Sequence, residues 1–115
     1  MTKNVAIFKD PPLKVLNVLL NIGLKTSNPN GGYVGAFLNN GEQVKIESHE
    51  VPSFFLHGFG GVSLWLEGDH DFFIWCSKNY SAGSFDGFTP KDEASFLKKL
   101  RQSGLTISVT HEDDL

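Results

Sequence analysis

The densest group of side chains able to do chemistry is Glu67, Asp69, His70 and Asp71, three carboxylates and an imidazole at the tip of one turn. Hard oxygen ligands with one nitrogen could hold a divalent cation. The ligands do not follow the order of an EF-hand loop, however, and acidic residues are ordinary in hairpin turns, so no metal is expected there. His57-Gly58-Phe59-Gly60-Gly61 has the composition of an esterase oxyanion loop. The chain has no Gly-x-Ser-x-Gly elbow to go with it, and 115 residues are too few for that sheet. Nor does a Lys-Ser/Thr pair follow the glycines, as a phosphate cradle requires. Cys76 with a histidine is the minimal thiol nucleophile. It lies in an apolar run expected to be buried, where thiols are inert. A small-molecule or thiol site would have to draw on His57, Cys76 and Tyr80. His49, His57, His70 and His111 show no HExxH-type spacing. The expectation is a chain without catalytic residues or cofactor.

That acidic turn joins two runs rich in aromatic and aliphatic residues, VSLWLEG and FFIWCS, the pattern of a β-hairpin. With Glu67 opposite Phe72, the pairs are Leu66–Phe73, Trp65–Ile74, Leu64–Trp75 and Ser63–Cys76. Side chains alternate between faces. One face then carries Val62, Leu64, Leu66, Phe73 and Trp75, and the other Ser63, Trp65, Glu67, Phe72, Ile74 and Cys76. Both are apolar, so the hairpin belongs inside a sheet, or one of its faces awaits a partner.

Around it, residues 4–8 read as a strand. Asp10 is placed as the N-cap of a helix with Pro11 at its first position and Gly23 at its end, Leu24 folding back onto Leu19. Leu16-Asn17-Val18-Leu19-Leu20 has the spacing of an LxxLL docking motif, but a core helix shows the same leucines. A second hairpin turns at Asn40-Gly41, where a two-residue type I′ turn would set Phe37 opposite Val44. Residues 49–61 contain Pro52 and three glycines and read as an aromatic loop. Residues 78–88 read as a polar, glycine-rich connection. Thr89 caps the last helix with Pro90 and Asp92 behind it, and Gly104 ends it with Leu105 folded onto Leu100. Residues 105–110 form a closing strand and 111–115 a frayed acidic tail. The sum is one α+β domain over residues 1–115: a mostly antiparallel sheet of five or six strands with two helices packed on one face.

Charge is uneven. Residues 1–40 carry +3, residues 41–71 carry −5, residues 72–110 carry +2 and the last five −3. An acidic middle and tail disfavour nucleic acid and suit a basic partner. The apolar run near the N-terminus, Val5 to Phe8, is too short to cross a membrane, and a single cysteine allows no internal disulfide, which points to the cytoplasm. The functional expectation is a small protein-binding inhibitor that neutralises a basic toxin or nuclease, of the general character of immunity proteins. Its contact surface is expected at Phe59, Trp65, Glu67, Asp69, Asp71, Phe72 and Ile74. A homodimer closing the second apolar face on its two-fold copy is the alternative.

Overall fold

The computed structural model describes residues 4–26, 34–57, 60–66, 70–77 and 80–114. These form strands β1 (Asn4–Phe8), β2 (Gly35–Leu38), β3 (Gln43–Val44), β4 (Gly60–Leu66), β5 (His70–Cys76), β6 (Ser81–Asp86) and β7 (Ile107–His111), with helices α1 (Pro12–Asn21), α2 (Val51–Leu56) and α3 (Pro90–Gln102). The strands make one antiparallel sheet in the order β3-β2-β4-β5-β6-β1-β7. Val15, Leu16 and Leu19 of α1, Val51 and Phe55 of α2 and Phe96, Leu97 and Leu100 of α3 share one core with Phe8, Ala36, Leu64, Phe72 and Ile74 of the sheet. All three helices therefore lie on the same face.

The α+β class holds, with seven strands and three helices in place of five or six and two. Both helix ends form as their sequences dictate. Gly23 (φ 115°) and Gly104 (φ 95°) take the left-handed conformation. Leu24 N donates to Leu19 O, and Leu105 N to Leu100 O, closing two Schellman motifs. The Thr89 hydroxyl accepts from Asp92 N at 3.1 Å, satisfying one orphan donor of α3. At α1 the cap differs. Pro11 is the N-cap and Pro12 the first helical residue, while Asp10 turns away and accepts from Thr106 N at 2.6 Å. Asp10 thus ties the start of α1 to the chain entering β7.

Two segments read as loops are regular. Residues 51–56 form α2, with Pro52 tolerated in the first turn and Phe54 and Phe55 buried. Residues 81–86 form β6, a central strand between β5 and β1. Its sequence, SAGSFD, is poor in β-formers because its neighbours supply the bulk. The Phe72 ring covers Gly83, where a Cβ would overlap it. At the C-terminus, His111 is the last residue of β7, paired with Asn4, and Glu112–Asp114 form a helical turn, so the frayed tail is not seen among the described residues.

Both hairpins differ from their expected registers by an odd number of residues. In the first, Ala36 pairs with Val44 and Phe37 with Gln43, a shift of one. Gly41 N donates to Leu38 O and Gly41 has φ 88°, a turn followed by a left-handed residue in a three-residue loop rather than a type I′ turn. In the central hairpin Leu66 pairs with His70 and Leu64 with Phe72, a shift of three. An odd shift regroups the side chains between faces. Val34, Ala36, Val62, Leu64, Phe72 and Ile74 consequently all face the helices and are buried.

Candidate functional site

The regrouping sets the composition of the other face, which no helix among the described residues covers. Directly opposed residues of antiparallel strands share a face, so this second face falls into rows running across the strands, with Val5, Gly61 and Ala82 buried within them. One row is Lys25, Trp65, Asp71 and Asp86. The next is Gly35, Ser63, Phe73, Ser84, Val5 and Thr110. The third is Gln43, Phe37, Gly61, Trp75, Ala82, Ile7 and Ser108. Aromatic rings stand among glycine, serine and alanine. The result is a concavity of about 790 Å³ reaching from the Asp71–Asp86 pair to the turn at Asn39 and Gly41.

Glycines give this groove its shape. A Cβ on Gly61 would overlap the Phe73 ring, so glycine there lets the ring lie against the sheet. Phe73 meets Phe37 edge-on at a centroid distance of 5.9 Å and lies 5.9 Å from Trp75 at a tilt. These three half-buried rings form a continuous aromatic platform. At the other end, Asp71 and Asp86 are directly opposed on β5 and β6, and Asp71 is also opposed to Trp65. Lys25 places its ammonium 5.9 Å from the centre of the Trp65 ring. The Trp65 indole N–H is buried and has no acceptor among the described residues.

Of the expected contact residues, Trp65 and Asp71 stand on this open face. Phe72 and Ile74 do not. They are 0% and 1% exposed, under the helices, and are removed from the candidate surface. Phe59, Glu67 and Asp69 lie outside the described residues. Phe37, Phe73, Trp75 and Asp86 belong to the groove and were missed. Phe73 and Trp75 were assigned to the opposite face from Trp65 by the register error, and Asp86 lay in a segment read as a connection. The signal that could have found them was the uniform apolarity of Val34, Ala36 and Leu38, which fixes those positions as the core face of β2.

The acidic turn does not act as one cluster. Successive residues of a strand point to opposite faces. Asp71 faces the groove, whereas His70 faces the helices, 3.0 Å from the Asp92 carboxylate and against Phe88 at a centroid distance of 4.8 Å. Hydrogen bonding to Thr89, and then to His70, holds the Asp92 carboxyl below the ordinary carboxylate range. His70 and Asp92 line a separate recess of about 230 Å³ with Phe88, Phe96 and Ser95. Among the described residues no three His, Cys, Asp or Glu side chains come together as a metal site.

Cys76 ends β5, half-buried and opposite Ser81, and burial pushes its thiol above the ordinary range, away from thiolate chemistry. The His57 ring lies 2.7 Å from Ser53 O at the end of α2. The Leu16 and Leu19 side chains of the LxxLL match are fully buried, leaving no docking edge. No helix among the described residues is long and apolar enough to cross a membrane. Comparison with family models, with curated proteins and with solved structures finds no match.

Proposed function

We propose that this protein is a binding module whose sheet face opposite the three helices docks a basic protein, in the manner of a small inhibitor that neutralises a toxin or nuclease. The observation that carries the reading is the composition of the groove: Phe37, Phe73 and Trp75 form an aromatic platform with the Asp71–Asp86 pair at one end. Aromatic side chains in a concave patch are the usual energetic anchors of protein interfaces. Carboxylates at the rim steer a cationic partner and fix its orientation. The chain's net charge of −3 acts in the same sense at longer range. Inhibition needs only occlusion, so the absence of a catalytic constellation among the described residues costs such a protein nothing.

The test is capture from a lysate of the source cells with three baits: the native chain, a Phe73→Ser/Trp75→Ser variant and an Asp71→Lys variant. The captured protein is then identified, purified and assayed for its own activity with and without the native chain. Expected is one basic protein, lost from both variants and inactivated on binding. Identical capture by all three baits refutes the groove as the contact surface. Sedimentation of the native chain alone is the control. A dimer that the Phe73→Ser/Trp75→Ser change dissociates would replace a foreign partner with a second copy of this chain.

A further inference from the structure

We propose that a second copy of this chain docks on the free edge of the sheet, β7 pairing with β7 antiparallel about a two-fold axis at Val109. The groove takes no part in this contact, so the inference stands apart from the docking of a basic protein.

The two edges of the sheet are built differently. β3 is only two residues long, Gln43–Val44, and lies between Glu42 and Lys45, the short, charged form in which edge strands resist pairing. β7 is five residues long, ISVTH, without proline, lysine or carboxylate. Its register with β1 is unbroken from Phe8–Ile107 to Asn4–His111, so no bulge turns it away. No described strand pairs with its outer side.

The pattern of that edge is self-complementary. Lys9 N donates to Thr106 O at 3.2 Å, and hydrogen-bonded pairs alternate along an antiparallel ladder. Ser108 and Thr110 therefore turn their backbone groups to β1, whereas Ile107, Val109 and His111 turn theirs outward. With the axis at Val109, the Val109 residues of the two copies exchange N–H to C=O bonds. The His111 N–H of each copy then donates to the Ile107 C=O of the other. The same register sets Ser108 opposite Thr110 and the exposed Val109 against its own copy, both favourable cross-strand pairs.

Charge selects a second copy as the occupant. At one end of β7 it runs into Glu112, Asp113 and Asp114, all exposed. At the other end residues 104–106 join it to the last turns of α3, where Lys98 and Arg101 are exposed, and exposed Lys9 lies opposite Thr106. None of these charged side chains has an ion-pair partner among the described residues. Within one chain the strand holds the two groups about 16 Å apart, at roughly 3.3 Å per residue. Antiparallel pairing brings each acidic turn alongside the basic end of the other copy, and the two-fold repeats the match.

The test is sedimentation equilibrium of the native chain from about 5 µM to about 1 mM at low salt, because a contact this small associates weakly. Expected is a concentration-dependent dimer and no larger species, since the blunt β3 edge offers no second contact. Val109→Lys sets two ammonium groups across the axis and should weaken the dimer roughly tenfold or more. Val109 is exposed and its N–H is not used by β1, so amide spectra of this variant should remain those of a folded chain. Charge reversal tests the register separately. Glu112→Lys/Asp113→Lys and Lys98→Glu/Arg101→Glu should each stay monomeric where the native chain dimerises, and an equimolar mixture of the two should form a heterodimer. A native chain still monomeric at the highest concentration leaves the edge to a foreign strand and overturns the proposal. A dimer indifferent to Val109→Lys, or folded reversal variants that do not combine, would overturn it too. So would a dimer that Phe73→Ser/Trp75→Ser dissociates and Val109→Lys does not, which places the second copy on the groove instead.

Discussion

Replacing Gly83 by alanine should be one of the most damaging single-methyl changes in this protein. A Cβ on Gly83 stands 2.6 Å from Phe72 Cε2 and closer still to Cζ, whereas unstrained carbon contacts are about 3.5–4.0 Å. The ring must retreat by about an ångström or more, and it has nowhere to go. Phe72 is fully buried, with the Phe85 and Phe96 rings each 5.2 Å away and Phe8 at 6.1 Å. Overpacking of this kind costs about 1–3 kcal/mol. Because the clash is with a locked ring, the upper half of that range applies, less a few tenths for the reduced freedom of the unfolded chain. The expected loss is about 2 kcal/mol by urea denaturation, lowering the melting temperature by roughly 8 °C. Combining Gly83→Ala with Phe72→Leu should cost less than the sum of the two single changes, because the smaller side chain admits the methyl group. Gly61→Ala is the internal control. It makes a similar overlap with Phe73, at 2.8 Å from Cε2, but Phe73 is only half-buried and can swing outward. That substitution should cost about 1 kcal/mol or less and reshape the groove instead. Equal losses at the two positions, or strict additivity of Gly83→Ala with Phe72→Leu, would refute the reasoning.

Asp10 carries a pH signature. Burial pushes its carboxyl up, but the hydrogen bond from the Thr106 N–H and the nearby Lys14 ammonium outweigh this and hold it below the ordinary range. A folded-state pKa lowered in this way contributes stability that is complete above the unfolded pKa and lost as pH falls through the folded one. The deficit of Asp10→Asn, about 1 kcal/mol at neutral pH, should therefore shrink on acidification through the carboxylate range, read as urea midpoints across that range. A deficit independent of pH would count against the charge. Ser81 is 1% exposed and its hydroxyl has no partner among the described residues. Ser81→Ala removes a buried group that has given up its water, so it should stabilise by about 1 kcal/mol; a comparable loss in thermal unfolding would show that the hydroxyl is satisfied after all.

Local chemistry was legible in the sequence wherever one residue type answers one backbone need. Gly23 and Gly104 were identified as left-handed helix ends, and Thr89 as a cap, because few other residues satisfy those positions. The strand at residues 4–8 and its partner near the C-terminus were legible for the same reason of local consistency. Asp10 shows the limit: a good capping residue was claimed by Thr106, some 96 positions away in sequence. The short helix at residues 51–56 depends on burying Phe54 and Phe55, and β6 depends on Phe72 lying over Gly83. Neither condition is written in the segment itself.

The candidate site illustrates the same division. The sequence by itself determined that the central hairpin is apolar on both faces and that carboxylates gather near its turn. It could not determine which residues share a face, because a strand that is apolar on both sides fits either register, and an odd shift regroups them all. Tertiary structure decided this by asking which set fills the space beneath three helices. Phe72 fits there between Leu64 and Phe85, and Ile74 between Val62 and Gly83, so Phe73 and Trp75 were left on the outside beside Phe37, with Asp71 and Asp86 opposed at the edge of their platform. Pairing along a strand is local, whereas the choice of buried face belongs to the whole core.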